Sequence, residues 1–159
     1  MRLKNRFFWI TAITGFVLDQ LTKFWVMQTF SLGETQPLIK GVFHFTYVRN
    51  TGAAFSLFAG KVEWLRWLSL LVSIALIALA LFTPVLLGWE QWGYGLILSG
   101  AMGNGIDRFI LSYVVDFLDF RLINFPVFNL ADVFINIGIA CLIIASFQKT
   151  PPTHSSRSK

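Results

Sequence analysis

The stretch VVDFLDFRLINFPVFNLADVF (114–134) sets three aspartates, Asp116, Asp119 and Asp132, among valines, phenylalanines and leucines. Two carboxylates held close together cannot both ionise easily, so one keeps its proton while the other stays a base. Such a pair can activate a water and protonate a leaving amine without a metal or a covalent intermediate. Neither Asp116 nor Asp132 has a basic neighbour in sequence. Each also has an ordinary reading. Asp132 opens the last apolar run, where a carboxylate suits the positive end of a helix dipole, and Asp116 by itself is an interfacial acid. Asp119 and Arg121 read as interfacial and solvated. Asp107, in LILSGAMGNGIDR (96–108), is a fourth acid. Four acids allow six pairs, and spacing alone does not choose among them.

The elements that must position these acids follow from composition. The chain has 159 residues, 55% hydrophobic and 16% aromatic, with 13% charged and a mean hydropathy of +0.65. A soluble domain carries about a quarter charged residues, so this composition indicates an integral membrane protein. The net charge of +5 does not point to nucleic acid, because the basic residues gather at the ends. Arg2, Lys4 and Arg6 open the chain, and Lys149, Arg157 and Lys159 close it. That distribution is a positive-inside signal for two cytoplasmic termini. The single cysteine, Cys141, lies in an apolar run and can form no intrachain disulfide. With no Cys/His cluster, neither a metal nor a cofactor is expected.

The predicted fold class is an all-α polytopic membrane protein with four transmembrane helices and a small extracytoplasmic hairpin. The spans fall at about 7–30, 67–87, 92–114 and 128–147 within one domain, 1–147. The first begins like a secretory signal peptide, but its apolar character continues past Asp19 and Lys23, so it reads as an uncleaved span. The second contains no charge and is flanked by Trp64 and Trp67 at one end and Trp89 and Trp92 at the other, as an aromatic belt would be. Segments 31–63 and 112–128 then lie outside the cell membrane. In the first, GVFHFTYVRNTGAAFS (41–56) predicts a short strand or hairpin on the membrane surface. The tail, 148–159, is predicted to be disordered and cytoplasmic.

A rise of 1.5 Å per residue converts position into depth. Asp19 lies roughly 18 Å from Phe7, Asp107 roughly 22 Å from Trp92, and Asp132 roughly 22 Å from Phe147. In a hydrocarbon core of about 30 Å these three acids share a layer in the outer half. Asn50, Asp116 and Asn129 fall at or just outside its boundary. Asp19 and Lys23, spaced i, i+4, can pair on one helix face and lower the cost of insertion. Asp107 and Arg108 are adjacent, so they point in different directions and each needs a partner elsewhere. The small residues of 96–108 read as helix packing rather than a nucleotide loop. His44 reads as a strand residue.

These residues also carry a resemblance. DQLTK (19–23), NTGAAF (50–55), GAMGNGIDR (100–108), VVDF (114–117) and FNLAD (128–132) occur in this order, and together the chain resembles the signal peptidase II (lipoprotein signal peptidase) family up to about residue 147. The resemblance implies an aspartic endopeptidase of the bacterial inner membrane with its site toward the extracytoplasmic face. Its substrate would be a diacylglyceryl-modified prolipoprotein lying among membrane lipids, cut just before the lipidated cysteine. A four-helix bundle with one site is itself expected to work as a monomer. Only the resemblance selects Asp116 and Asp132 as the catalytic pair. It implies binding or supporting roles for Asp19, Lys23, Asn50, Gly52, Asn104, Asp107, Arg108 and Asn129, and a β-cradle at 41–56. Ser99 and Val133 depart from the pattern, standing where the family often has glycine and serine. The leading rival reading is a small proton-coupled transporter or channel subunit, and a non-catalytic assembly factor is another. A transporter would place polar groups near the midplane, often with internal repeats, whereas here the acids lie toward one face.

Overall fold

A computed structural model describes residues 4–52 and 60–148 of the chain. Arg2, the 53–56 part of the predicted hairpin, and the tail from Lys149 onward lie outside the described residues. The described chain forms four α-helices, α1 (Arg6–Thr29), α2 (Val62–Phe82), α3 (Gly88–Ile110) and α4 (Leu130–Gln148). Three strands, β1 (Thr35–Ile39), β2 (Phe43–Asn50) and β3 (Val114–Phe120), build one antiparallel sheet in that order.

The helices agree with the predicted apolar runs, with shifted ends. α2 begins five residues before the predicted start, because Glu63 and Arg66 belong to its first turns. It stops at Phe82, not residue 87, since Thr83 is extended ahead of Pro84. α3 likewise begins at Gly88, where the Glu90 carboxylate accepts the Leu87 N–H at 3.0 Å. It ends at Ile110 and not 114, because Ser112 takes a positive φ of 65° and the β-branched pair Val114–Val115 starts a strand.

The sheet is larger than the predicted hairpin. β1 was hidden by Pro37, which an edge strand tolerates. Its turn into β2 uses Gly41 at φ 76°, a left-handed conformation open to glycine. β3 was divided in the sequence reading between a helix end and a loop. Its pairing with β2 shifts register between Phe45 and Val48, so that Val48 stands opposite Asp116 and Asn50 opposite Val114. A bulge of this kind re-aims side chains, and here the last residue of β2 is turned onto β3.

Around α3 the other three helices pack closely, and its small residues set the approach. A Cβ on Gly100 would strike the Ala131 carbonyl and Ile135 of α4. One on Gly95 would strike Phe8 and Thr11 of α1, and one on Gly105 would press on Ser69 of α2. Ser99, buried in this surface, fits because Gly15 opposite has no side chain. α2 leaves most of its surface outward, as its lack of mid-helix charge predicts. An apolar cluster of Val26, Phe30, Tyr47, Val115 and Phe117 joins the end of α1 to the sheet.

Burial is inverted relative to a soluble domain. Asp19 and Lys23 are 0% and 1% exposed, whereas Ile13 and Phe82 are 61% and 84% exposed. Charged groups are rarely buried without a partner in soluble proteins. α2 and α4 are long and apolar enough to cross a membrane, with mean hydropathies of 2.3 and 2.2.

Candidate active site

Where the sheet meets the bundle, residues from α1, β2, α3, β3 and α4 form one buried polar network. Asp116 is the third residue of β3, and both its oxygens accept side-chain amides. Asn129 Nδ2 donates to Oδ1 at 2.6 Å and Asn50 Nδ2 to Oδ2 at 2.9 Å. Asp132 stands in the first turn of α4 and accepts Asn104 Nδ2 at 2.8 Å. Asn129, just before α4, exchanges bonds with it. The Asp132 N–H donates to Asn129 Oδ1 at 3.1 Å, and the Asn129 N–H to Asp132 Oδ2 at 3.3 Å. This is a reciprocal cap, so the local sequence NLAD both starts the helix and aims its carboxylate. Asn129 also donates to Asn104 Oδ1 at 3.0 Å.

A second layer lies behind. Lys23 Nζ bridges Asp19 at 2.9 Å and Asp107 at 3.0 Å, and donates to Asn104 Oδ1 at 2.9 Å. Asp19 accepts the Ala131 N–H at 2.9 Å, tying α1 to the start of α4. Asp107 accepts the Val115 N–H at 3.2 Å, tying α3 to β3. Arg108 turns the other way, donating to the carbonyls of Gly52 at 3.1 Å and Asn104 at 3.2 Å. The Gly52 N–H in turn donates to Asn50 Oδ1 at 2.8 Å.

All ten residues singled out in the sequence therefore meet. The predicted ion pair of Asp19 and Lys23 is present and is extended by Asp107. The sequence reading missed Gln20, which donates to Asp107 at 3.1 Å, to Asp19 at 3.2 Å and to the Gly103 carbonyl at 3.3 Å. Its signal was a polar amide in the middle of an apolar span. Asp119 is corrected. It is buried, accepting Thr46 Oγ1 at 2.6 Å and pairing with Arg121 at 2.8 Å, with His44 of β2 opposite it on the ladder. Burial pushes the Asp119 carboxyl up, but bonds from Thr46 and Arg121 outweigh that and hold it below its ordinary value.

A cavity of about 800 Å³ opens onto this network. Asp116, Asp132, Asn50 and Gly52 form its polar end, and the 125–128 segment and one face of α4 form an apolar wall. Asp119 is not among its lining residues. Burial, and next the Asp132 carboxylate, push the Asp116 carboxyl up to about 7 against the bonds from Asn50 and Asn129. Asp116 and Asp132 thus stand together at the polar end of the cavity, close enough for the charge of one to act on the other. Among the described residues no group of three His, Cys, Asp or Glu side chains could hold a metal ion.

Comparison with known proteins shows the family. The family model described as signal peptidase (SPase) II matches residues 11–148. The chain belongs to the signal peptidase II family. It is 73% identical to the lipoprotein signal peptidase of Trichormus variabilis, over 97% of this chain and 98% of that protein. It is 76% identical to the lipoprotein signal peptidase of Nostoc punctiforme, over 95% and 96%. A solved bacterial membrane enzyme, determined by the in meso method at 2.3 Å resolution, superposes with a TM-score of 0.83 at 30% identity, covering 94% of this chain and 93% of that one. A second, at 1.9 Å, gives a TM-score of 0.78 at 31% identity over 89% and 92%. The matched family region contains every residue of the network described above.

Proposed function

We propose that this chain is an intramembrane aspartic endopeptidase that removes the signal peptide of diacylglyceryl-modified prolipoproteins, cleaving before the lipidated cysteine. The observation that carries the reading is the pair Asp116 and Asp132, joined through Asn129 and presented together on one half-apolar cavity. In this mechanism one carboxylate removes a proton from a water, whose oxygen attacks the carbonyl preceding the cysteine. The protonated partner donates a hydrogen bond to that carbonyl and then gives its proton to the departing cysteine amine. Asp116, with its carboxyl up at about 7, suits the acid at neutral pH, although the pair titrates as a unit.

The surrounding amides hold the pair rather than the substrate. Asn129 is fully committed to Asp116, Asn104 and the Asp132 N–H, so it is a positioning residue. Arg108 steadies the chain at Gly52, and the Gly52–Asn50 turn brings the Asn50 amide onto Asp116. The reading places four spans across the bacterial inner membrane, with both termini cytoplasmic and the sheet at the extracytoplasmic face. Residues 1–147 then form one domain that acts as a monomer, without cofactor. The substrate's acyl chains would stay in lipid beside the apolar wall while its scissile bond meets the polar end.

The test is cleavage of a lipid-modified precursor by purified native protein and by Asp116→Asn and Asp132→Asn singly. Loss of product release in both variants, with unchanged helical circular dichroism, is expected. Full turnover in either variant would sink the assignment. A transporter or an assembly factor would release no signal peptide in the native arm.

A further inference from the structure

We propose that Asn136 is a substrate-binding residue whose carboxamide pairs with the backbone N–H and C=O of the residue about two before the cleaved bond. The inference rests on the peptidase reading above. Asn136 lies on α4 one turn beyond Asp132, lines the same cavity and is exposed in it. Residues i and i+4 stack on one helix face, so Asn136 stands below Asp132, about 6 Å further along the helix axis. Its surroundings are apolar. α4 has a mean hydropathy of 2.2, and Phe125, Val133 and Ile137 line the cavity with it.

Asn136 makes one hydrogen bond among the described residues, Nδ2 to the Asp132 carbonyl at 2.8 Å. That bond uses one of two N–H groups and leaves the acceptor Oδ1 open. An open donor and an open acceptor beside an apolar wall are costly, and among the described residues no further hydrogen bond holds this carboxamide. Those two open groups match one residue of an extended chain, whose backbone N–H and C=O point to the same side.

The substrate supplies such a residue at this depth. For the carboxylates to reach its scissile bond, the end of its membrane segment must leave the helical form. The freed N–H and C=O groups then face the apolar wall of the cavity, where each needs a partner. The signal segment enters from the cytoplasmic side, so residues before the bond lie deeper than the bond itself, as Asn136 lies deeper than Asp132. An extended chain advances about 3.3 Å per residue. A drop of about 6 Å along the helix axis is therefore about two residues.

The experiment uses full-length protein in detergent and two synthetic lipopeptides. One is all-amide. The other carries an ester in place of the peptide bond whose N–H would face Asn136, two residues before the cleavage point. The native protein is expected to lose about tenfold in kcat/KM on the ester substrate, the size of one hydrogen bond. Asn136→Leu removes both bonds, so it should lose more than tenfold on the amide substrate, mainly through KM, and lose nothing further on the ester. Asn136→Gln, which keeps the amide, should recover part of the loss. Equal ester penalties in native and Asn136→Leu proteins would overturn the proposal. So would native kcat/KM in Asn136→Leu, with or without a lower Tm, since that marks the residue as structural. Failure of the native protein to cleave the amide lipopeptide would overturn the peptidase reading itself and this inference with it.

Discussion

Replacing Asp116 with asparagine should abolish cleavage and also reverse the sign of a stability difference between acid and neutral pH. The Asp116 carboxyl is raised from an ordinary 3.8 to about 7, by burial and then by Asp132. At about 1.4 kcal/mol per tenfold, that gap corresponds to about 4 kcal/mol. The sign follows from linkage. Below pH ~4 the carboxyl is protonated in both native and unfolded chains and contributes no difference. Between pH ~4 and ~7 the unfolded chain releases the proton while the native state retains it, so native stability falls as pH rises through this window. The replacement amide does not titrate, so it escapes that loss. It has a cost of its own. Asn50 and Asn129 both aim N–H groups at Asp116, and an amide offers only one acceptor oxygen. One donor goes unmatched, at about 1–3 kcal/mol independent of pH. Asp116→Asn should therefore melt lower than the native protein at pH 4 and higher at pH 8. For a chain of this length the swing is about 2–4 °C per kcal/mol. Thermal unfolding in detergent, followed by tryptophan fluorescence from pH 4 to 8, reads it. Parallel melting curves for the two proteins across that range would refute the reasoning.

Other perturbations probe the same layer. The kcat/KM for a lipidated precursor should fall as pH rises above ~7, because Asp116 then loses the proton the leaving amine requires; a pH–rate profile on the native protein checks it. Lys23→Met leaves Asp19 and Asp107 buried without their shared cation and should destabilise by about 3–5 kcal/mol, with partial recovery on adding Asp107→Asn, both measured by thermal unfolding. Gly103→Ala sets a Cβ against the Asp19 carboxylate, displacing it from Lys23 and from the Ala131 N–H. A loss of about 1–3 kcal/mol is expected, and purified protein level together with Tm reports it.

What could be read without coordinates divides by how local its signal is. An uncharged run such as 67–87 announces its own environment, because hydrophobic transfer is roughly additive along a helix. Its ends were misplaced because Glu63 and Arg66 look like loop residues until α3 is known to lie alongside, with Arg66 Nε donating to the Arg108 carbonyl at 3.1 Å. Depth counting likewise placed Asp19, Asp107 and Asp132 in one layer, since a helix converts residue number into height. Pair selection was not local. Asp116 reaches Asp132 through Asn129, thirteen and three residues away in sequence, and only the family motifs pointed to that choice. The sheet failed for a related reason. β1 and β3 are strands because of what they pair with: TQPLI has a proline, and VVDFLDF begins only a few residues after a helix. Asp119 looked solvated because its partner Thr46 lies on another strand.

The layer also shows how a cation can sit near a carboxylate pair without neutralising it. An ammonium has three donors, and those of Lys23 go to Asp19, Asp107 and Asn104 Oδ1. Its charge is thereby committed to two acids that lie behind the cavity and do not line it. Asn104 passes on orientation and no direct charge contact. Its Oδ1 is held by Lys23 and by Asn129 Nδ2, so its amino group has to face Asp132. A direct lysine contact to Asp132 would stabilise the ionised form of that acid alone and pull the pair apart in proton affinity. Neutral amides on Asp116 and Asp132 supply hydrogen bonds without adding charge, which is the surrounding the proposed sharing of one proton requires. On this argument the asparagines at 50, 104 and 129 are chosen for being uncharged, and replacing any of them with a cation should harm catalysis more than replacing it with an apolar residue of similar size.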